Sequence, residues 1–262
     1  MNLKYIKIVV FYFLPFLLVI LITFSFLFTY NFNATGLFLI GENFPKSPFL
    51  NSKEAVILKN EIGYDGQQFL TLAFDPFILH EGTIEALDNP RYRSKRILMP
   101  FLAFILSLGF TQIIPWIIIM LNTLGIYLIY YINLGISRIQ KIQCLFALAI
   151  PGLWIVLKIS TAEIIANLLV LTSYYFLQKN KLFFSFLILC TACLAKETML
   201  IFAFSYTLSL LIKKEFKKIL LMLISFVPFY LWHIYILVTF GLTGNFDETS
   251  NFSFPLHGIF DK

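Results

Sequence analysis

Three groups of residues in this sequence have the types and spacing to do chemistry. The first is Asp65, in Gly63-Tyr64-Asp65-Gly66-Gln67-Gln68-Phe69, where it opens a helix-like stretch. A carboxylate at such a place serves as an N-cap worth about 1 kcal/mol, or as a catalytic base held at a water–membrane boundary. The second is Asn89-Pro90-Arg91-Tyr92-Arg93-Ser94-Lys95-Arg96, with four cations in six residues. Such a run snorkels to lipid head groups, or forms an anion site, because arginine forks bind phosphate through paired hydrogen bonds. The third is Lys196-Glu197, at the end of an apolar run. It reads as an interfacial pair, or as a further cation for phosphate held in place by Glu197.

Other ionisable groups read as structural. Ser160-Thr161-Ala162-Glu163 fits the capping box S-x-x-E ahead of an apolar helix, which gives Glu163 a capping role. Cys190 and Cys193 form a C-x-x-C embedded in leucine and isoleucine; without polar second partners they are small buried residues rather than a metal or redox pair. His80, His233 and His257 show no mutual ligand spacing, and His233 reads as a packed or hydrogen-bonded ring. Asn33-Ala34-Thr35 and Asn251-Phe252-Ser253 match the glycosylation acceptor pattern, which is frequent by chance.

The elements that position these groups are apolar. The chain is 59% hydrophobic and 13% charged, with 31 phenylalanines and a mean hydropathy of +0.84. A soluble chain carries roughly a quarter charged residues, so the composition is that of an all-α integral membrane protein forming one membrane domain over 1–262. The net charge of +6 does not point to nucleic acid, because the cations fall mostly at the ends of apolar runs, the pattern that orients spans among membrane lipids.

Lys4 and Lys7 precede an apolar run over 8–30. At about 23 residues it is too long for a signal-peptide core and reads as an uncleaved first span with a cytoplasmic N-terminus. Residues 31–96 then form a long external loop holding eight of the fourteen carboxylates; loops this long are functional or disordered. Its apolar residues predict two short helices, near 52–61 and 66–74, the second stopped by Asp75-Pro76. The run 97–110 is about 14 residues, roughly 21 Å as a helix against roughly 30 Å of hydrocarbon. Further spans are predicted to about 134 and over 144–158, 162–177, 182–195, 199–212 and 219–240. The basic loop 213–218 belongs in the cytoplasm, and the two ends of the chain agree only if 97–110 dips in and returns. The expectation is seven transmembrane helices plus one partial insertion. The loop 31–96, the turns at 160–163 and 196–198, and the tail after 241 then share the external face.

Taken together, Tyr64-Asp65-Gly66-Gln67, Asp75-Pro76, Asn89-Pro90-Arg91-Tyr92-Arg93 running into Arg96-Ile97-Leu98-Met99-Pro100, and Ala195-Lys196-Glu197-Thr198 carry a resemblance. The chain resembles a family of bacterial polytopic membrane proteins of cell-surface glycopolymer formation, of the GT-C glycosyltransferase type, from the first span to about residue 200. That resemblance implies transfer of a sugar from a polyprenyl-phosphate-linked donor to a glycan or lipid acceptor at the external face of the bacterial inner membrane. It implies Asp65 as the base on the acceptor hydroxyl, or as a ligand of a divalent cation such as Mg or Mn. It implies that Arg91, Arg93, Arg96 and Lys196 neutralise the departing lipid phosphate, with Tyr64, Gln67 and Glu197 among the substrate-site residues. Lys95 departs from the pattern by adding a charge beside Arg96. Proteins of this type continue with further spans, so the end at Lys262 reads as a short form, a truncated product or one half of something larger. Two other functions need no base: a carrier or flippase for lipid-linked sugars, which would use the same cations, and a non-catalytic subunit that scaffolds a polysaccharide assembly complex and binds protein through the loop.

Overall fold

The computed structural model describes residues 9–136 and 141–240. Lys4, Lys7, Arg138, the acceptor pattern at 251–253, His257 and the tail from 241 lie outside the described residues. From the N-terminus, a turn of π-helix at Val9–Phe13 leads into α1 (Leu14–Phe28). Segment 31–96 contributes a 3-10 turn at Ala34–Phe38, two short strands, β1 (Ile40–Gly41) and β2 (Ile57–Leu58), and the helices α2 (Asp65–Phe74), α3 (Glu81–Glu85) and α4 (Pro90–Ser94). Then come α5 (Leu98–Leu106), α6 (Ile114–Ile136), a 3-10 run at Lys141–Ala149, α7 (Pro151–Ile159) and α8 (Glu163–Gln178). The described chain closes with α9 (Leu182–Ala195), α10 (Leu200–Ile212), α11 (Phe216–Ser225) and α12 (Val227–Phe240).

The helical class is as composition requires, but the seven spans are not found. Among the described residues, two helices are long and apolar enough to cross a membrane, Val10–Phe28 and Ile114–Ile136. A third counts if α11 and α12, bent by 47° at their junction, form one broken span. The other apolar runs are cut short by the backbone. The predicted span 144–158 is a 3-10 run followed by α7, which begins at Pro151 and ends at Ser160 with φ +50°. Helices α9 and α10 have 14 and 13 residues, about 20 Å each at 1.5 Å per residue. Hydropathy registers apolar content and not where a helix breaks.

Within 31–96, α2 begins at Asp65 and ends at Asp75 before Pro76, as its sequence predicts. The helix expected near 52–61 is replaced by turns and β2, because Ile57 and Leu58 pair in parallel with Ile40 and Gly41. Helix α4 forms because Asn89 accepts a hydrogen bond from the Tyr92 N–H at 3.0 Å and Pro90 fills the first helical position. Helix α5 has nine residues and is closed by left-handed Leu108 and Gly109, matching the brevity expected of 97–110.

Side-chain hydrogen bonds fix how the helices lie together. Thr23 meets Thr123 at 3.2 Å and the Tyr130 hydroxyl donates to the Phe11 carbonyl at 2.8 Å, so α1 and α6 run antiparallel. Asn122 Nδ2 donates to the Thr161 carbonyl at 3.2 Å, and Gly125 makes room for Ile164, whose Cγ2 would stand 2.6 Å from a Cβ there. These contacts set the turn 160–163 eight residues into α6, about 12 Å from its start. Helices α8 and α9 form a hairpin locked by Ser173 and Ser185, each donating to the other's carbonyl at 2.8 and 2.9 Å. Segment 31–96 is not a free loop: Leu37, Phe38, Phe69 and Leu70 share one core with Met99, Ile114, Ile118 and Ile165.

Candidate functional site

The start of α2 is carried into the body of the protein by two glycines. A Cβ on Gly66 would lie 2.3 Å from the Ile159 carbonyl oxygen and 2.9 Å from that of Phe38, so backbone fills both sides. Gly41 is as tight, with the Ile62 carbonyl carbon 2.2 Å from its would-be Cβ. The close approach at Gly66 brings Asp65 to the C-terminal end of α7, next to the recessed turn that begins α8. Asp65 is the first residue of α2 and makes no capping bond. Its carboxylate, 42% exposed, faces Arg93 and Arg96 instead.

The two arginines are arranged alike. Arg93 uses its Nε and one terminal nitrogen on Asp88, at 2.7 and 2.6 Å, and turns its other terminal nitrogen to Asp65 at 3.0 Å. Arg96 uses its Nε and one terminal nitrogen on Glu197, at 2.8 and 2.6 Å, and points its other terminal nitrogen at Asp65 from 3.9 Å. Each fork is thus anchored by a carboxylate along one edge, and both present a free edge to the same third carboxylate. Arg96 is nearly buried, at 7% side-chain exposure, and its guanidinium lies 4.4 Å from the Tyr92 ring centre while bonding the Tyr92 hydroxyl.

Burial alone would raise the carboxyls of Asp88 and Glu197, but hydrogen bonds and charge from Arg93 and Arg96 outweigh it and hold both below the ordinary range. Burial would likewise lower the arginines, and their carboxylate partners raise them instead. Asp88, Glu197, Arg93 and Arg96 are therefore fixed charges at neutral pH. Beside it, Lys196 Nζ bonds Glu163 Oε1 at 2.5 Å.

Of the residues singled out in the sequence, Asp65, Arg93, Arg96 and Glu197 form one connected network, and Lys196 joins Glu163 alongside it. Arg91 is half-buried on α4. Gln67 is not in this network: its side chain is buried, accepting from the Gly41 N–H at 2.9 Å and donating to the Pro45 carbonyl at 3.3 Å. It braces β1 against α2. Tyr64 is exposed at the N-cap of α2. The capping box also fails, since α8 starts at Glu163 with Ala162 as N-cap and no side-chain capping bond, while left-handed Ser160 closes α7.

Asp88 was missed as a site residue; a carboxylate just ahead of the cation run was the available signal. The Glu163–Lys196 pairing, 33 residues apart, had no signal in local spacing. Asn33 accepts from the Thr35 N–H and hydroxyl and donates to the Glu54 carbonyl at 2.6 Å, so its amide is committed to the turn. Cys190 and Cys193 are fully buried free thiols, and His233 packs on Phe229 with Nδ1 2.9 Å from its carbonyl oxygen.

Among the described residues the carboxylates at this site do not form a divalent-cation cage of their own. Asp65 and Asp88 meet on Arg93, so a metal between them would lie against a guanidinium, and among the described residues no three His, Cys, Asp or Glu side chains stand together as ligands. What the arrangement can do is hold an anion of phosphate size and charge on two anchored forks, next to a carboxylate open to solvent. Comparison of the chain with protein-family models, curated proteins and solved structures finds no match, so the case for this site rests on its own geometry.

Proposed function

We propose that the chain is a multi-pass membrane glycosyltransferase that moves a sugar from a polyprenyl-phosphate donor to a glycan or lipid acceptor, with segment 31–96 on the external face and the N-terminus in the cytoplasm. One observation carries the reading: Arg93 and Arg96 are each anchored along one edge by Asp88 or Glu197 and each offer the other edge to Asp65. In this proposal the Asp65 carboxylate stands where a donor phosphate binds. The donor phosphodiester, with the same single charge as a carboxylate, takes the place of Asp65 on the two forks, and the released carboxylate becomes a base beside the bound donor; the forks favour most the lipid phosphate monoester that departs with a second charge.

The reaction then balances without a metal. Asp65 takes the proton of the acceptor hydroxyl; that oxygen bonds the anomeric carbon; the bond from this carbon to the phosphate oxygen breaks, and its electron pair leaves on the lipid phosphate. Arg93 and Arg96 stabilise the charge that develops there, with Arg91 and Lys196 adding positive potential nearby. The recess of the turn 160–163, about 12 Å along α6, supports a donor whose phosphate is tethered to a lipid.

The test is sugar transfer in membranes supplied with radiolabelled polyprenyl-phosphate sugars, comparing wild type with Asp65→Asn at equal protein level. Loss of a general base predicts a fall of about 100-fold or more, with binding of polyprenyl phosphate retained. Equal transfer by both proteins would remove Asp65 from its role. Phosphate-dependent binding with no transfer by either, over a broad donor panel, would favour a carrier or a non-catalytic subunit.

A further inference from the structure

A second site lies at the other end of α2. Asp65 and Phe74 are the first and last of the ten residues of the helix, about 14 Å apart along the axis. Beyond Phe74 opens a cleft of about 400 Å³ between segment 31–55 and the start of α6, within the size range of small-molecule pockets. It shares no residue with the ion-pair network.

The lining has a distinct chemistry. Three exposed aromatic rings, Phe32, Phe49 and Trp116, stand around it. Between them are hydrogen-bonding side chains, including the neutral Asn31, Asn51 and Gln112 and one carboxylate, Glu54. No Lys, Arg or His lines it, so it is not built for an anion. The amides of Asn31 and Gln112 make no hydrogen bond among the described residues, and each can donate and accept at once. A hydroxyl group does the same, which makes amides its natural partners. The C–H face of a pyranose ring is apolar and suits an aromatic wall. An acyl chain, by contrast, would leave these amides unpaired.

The backbone at the rim is the end of α1. Asn31 and Phe32 are consecutive non-glycine residues in the left-handed region, at φ +52° and +58°. For phenylalanine this conformation is uncommon and costs about 1 kcal/mol or more. It closes α1, with the Phe32 N–H on the Leu27 carbonyl at 2.9 Å and the Phe32 ring edge-on to Phe24 and Phe28, and leaves both side chains at the rim of the cleft.

We propose that this cleft binds a neutral saccharide ring, stacked on Trp116 with Phe32 and Phe49 as its other walls and hydrogen-bonded by Asn31, Asn51 and Gln112. The site uses none of the ion-pair residues and stands whether or not the chain is a transferase.

The experiment uses the full chain in phospholipid nanodiscs, since glucoside and maltoside detergents carry competing head groups. Saturation-transfer-difference NMR is run with the methyl glycosides of glucose, galactose, mannose and N-acetylglucosamine, and with phosphocholine as the competing probe. At least one glycoside is expected to bind with Kd of about 1–10 mM, with the strongest transfer to its ring C–H protons. Trp116→Ala and, separately, Asn51→Ala are each expected to weaken it about fivefold or more, while Gly152→Ala, whose added Cβ meets nothing within 4 Å, leaves it unchanged. Asn51 is an exposed surface residue, so its variant remains informative if Trp116→Ala misfolds. No glycoside binding at about 50 mM, binding insensitive to both cleft variants, or occupancy by phosphocholine alone would overturn the proposal. Because binding is read without turnover, a failed transfer assay leaves this result standing, and the converse also holds.

Discussion

At the scale of single residues, the two arginines differ in how firmly they are held. Arg96 is nearly buried and depends on Glu197, itself only 22% exposed at the side chain. Removing one partner of such a pair leaves a charge unanswered. Glu197→Gln keeps the shape but not the charge, and is expected to destabilise by about 2 kcal/mol, read as a lower melting temperature in nanodiscs. The pH dependence has a definite sign. Glu197 and Asp88 are depressed in the folded protein, so their contribution is fully present above the ordinary carboxylate range. It is lost as pH falls through the lower native values. The stability gap between wild type and Glu197→Gln should therefore be widest at neutral pH and close on acidification; a constant gap would mean that the pairing is not electrostatic. This scale was the most legible in the sequence, because an aspartate, a cation cluster and a Lys-Glu pair are unusual in so apolar a chain. Gln67 misled because a side chain two residues past Asp65 on a tightly packed helix faces inward, to Gly41 and Pro45.

At the scale of elements, the position of α2 matters more than its length. Its boundaries were legible because Asp75-Pro76 forces a stop. Its placement was not, because the backbone approach at Gly66 involves Phe38 and Ile159, residues that no local pattern connects. Gly66→Ala puts a Cβ 2.3 Å from the Ile159 carbonyl oxygen, which neither side can accommodate without moving main chain. Displacement of α2 by about 1 Å is expected to cost roughly 100-fold in sugar transfer. Gly152→Ala is the control, since nothing lies within 4 Å of its added Cβ; its transfer rate should match wild type. Equal rates for both variants would show that the position of α2 does not govern the chemistry. The 160–163 turn teaches the opposite lesson. Its S-x-x-E pattern is sound as a capping motif, yet Ser160 closes the preceding helix, and Lys196 takes the Glu163 carboxylate through a contact between two helix ends.

At the scale of the whole molecule, α9 ends at the ion pairs and α10 leads away from them, so the turn at 213–215 lies about 20 Å distant along α10. If the body separates two compartments, Glu61 and Lys214 face different ones. The three native thiols are buried, which leaves introduced cysteines as the reactive ones. Glu61→Cys in intact cells is expected to label with a membrane-impermeant maleimide, and Lys214→Cys only after permeabilisation. The reverse pattern would invert the proposed orientation, and equal labelling of both would mean that the body does not span. Helical class was readable from composition alone; the number of crossings was not, because Pro151, Ser160 and the bend between α11 and α12 break runs that hydropathy joins. The Arg96–Glu197 contact, finally, joins positions 101 residues apart, and a ribosome makes them in order. At about 5–20 residues per second, Asp65, Asp88, Arg93 and Arg96 exist for roughly 5–20 s before Glu197 is polymerised. During that interval Arg96 has Asp65 and Tyr92 for company, and the anchor that turns its fork outward arrives last. The network is thus finished in translation order, with the edge of Arg96 that faces Asp65 set only once the hairpin of α8 and α9 is complete.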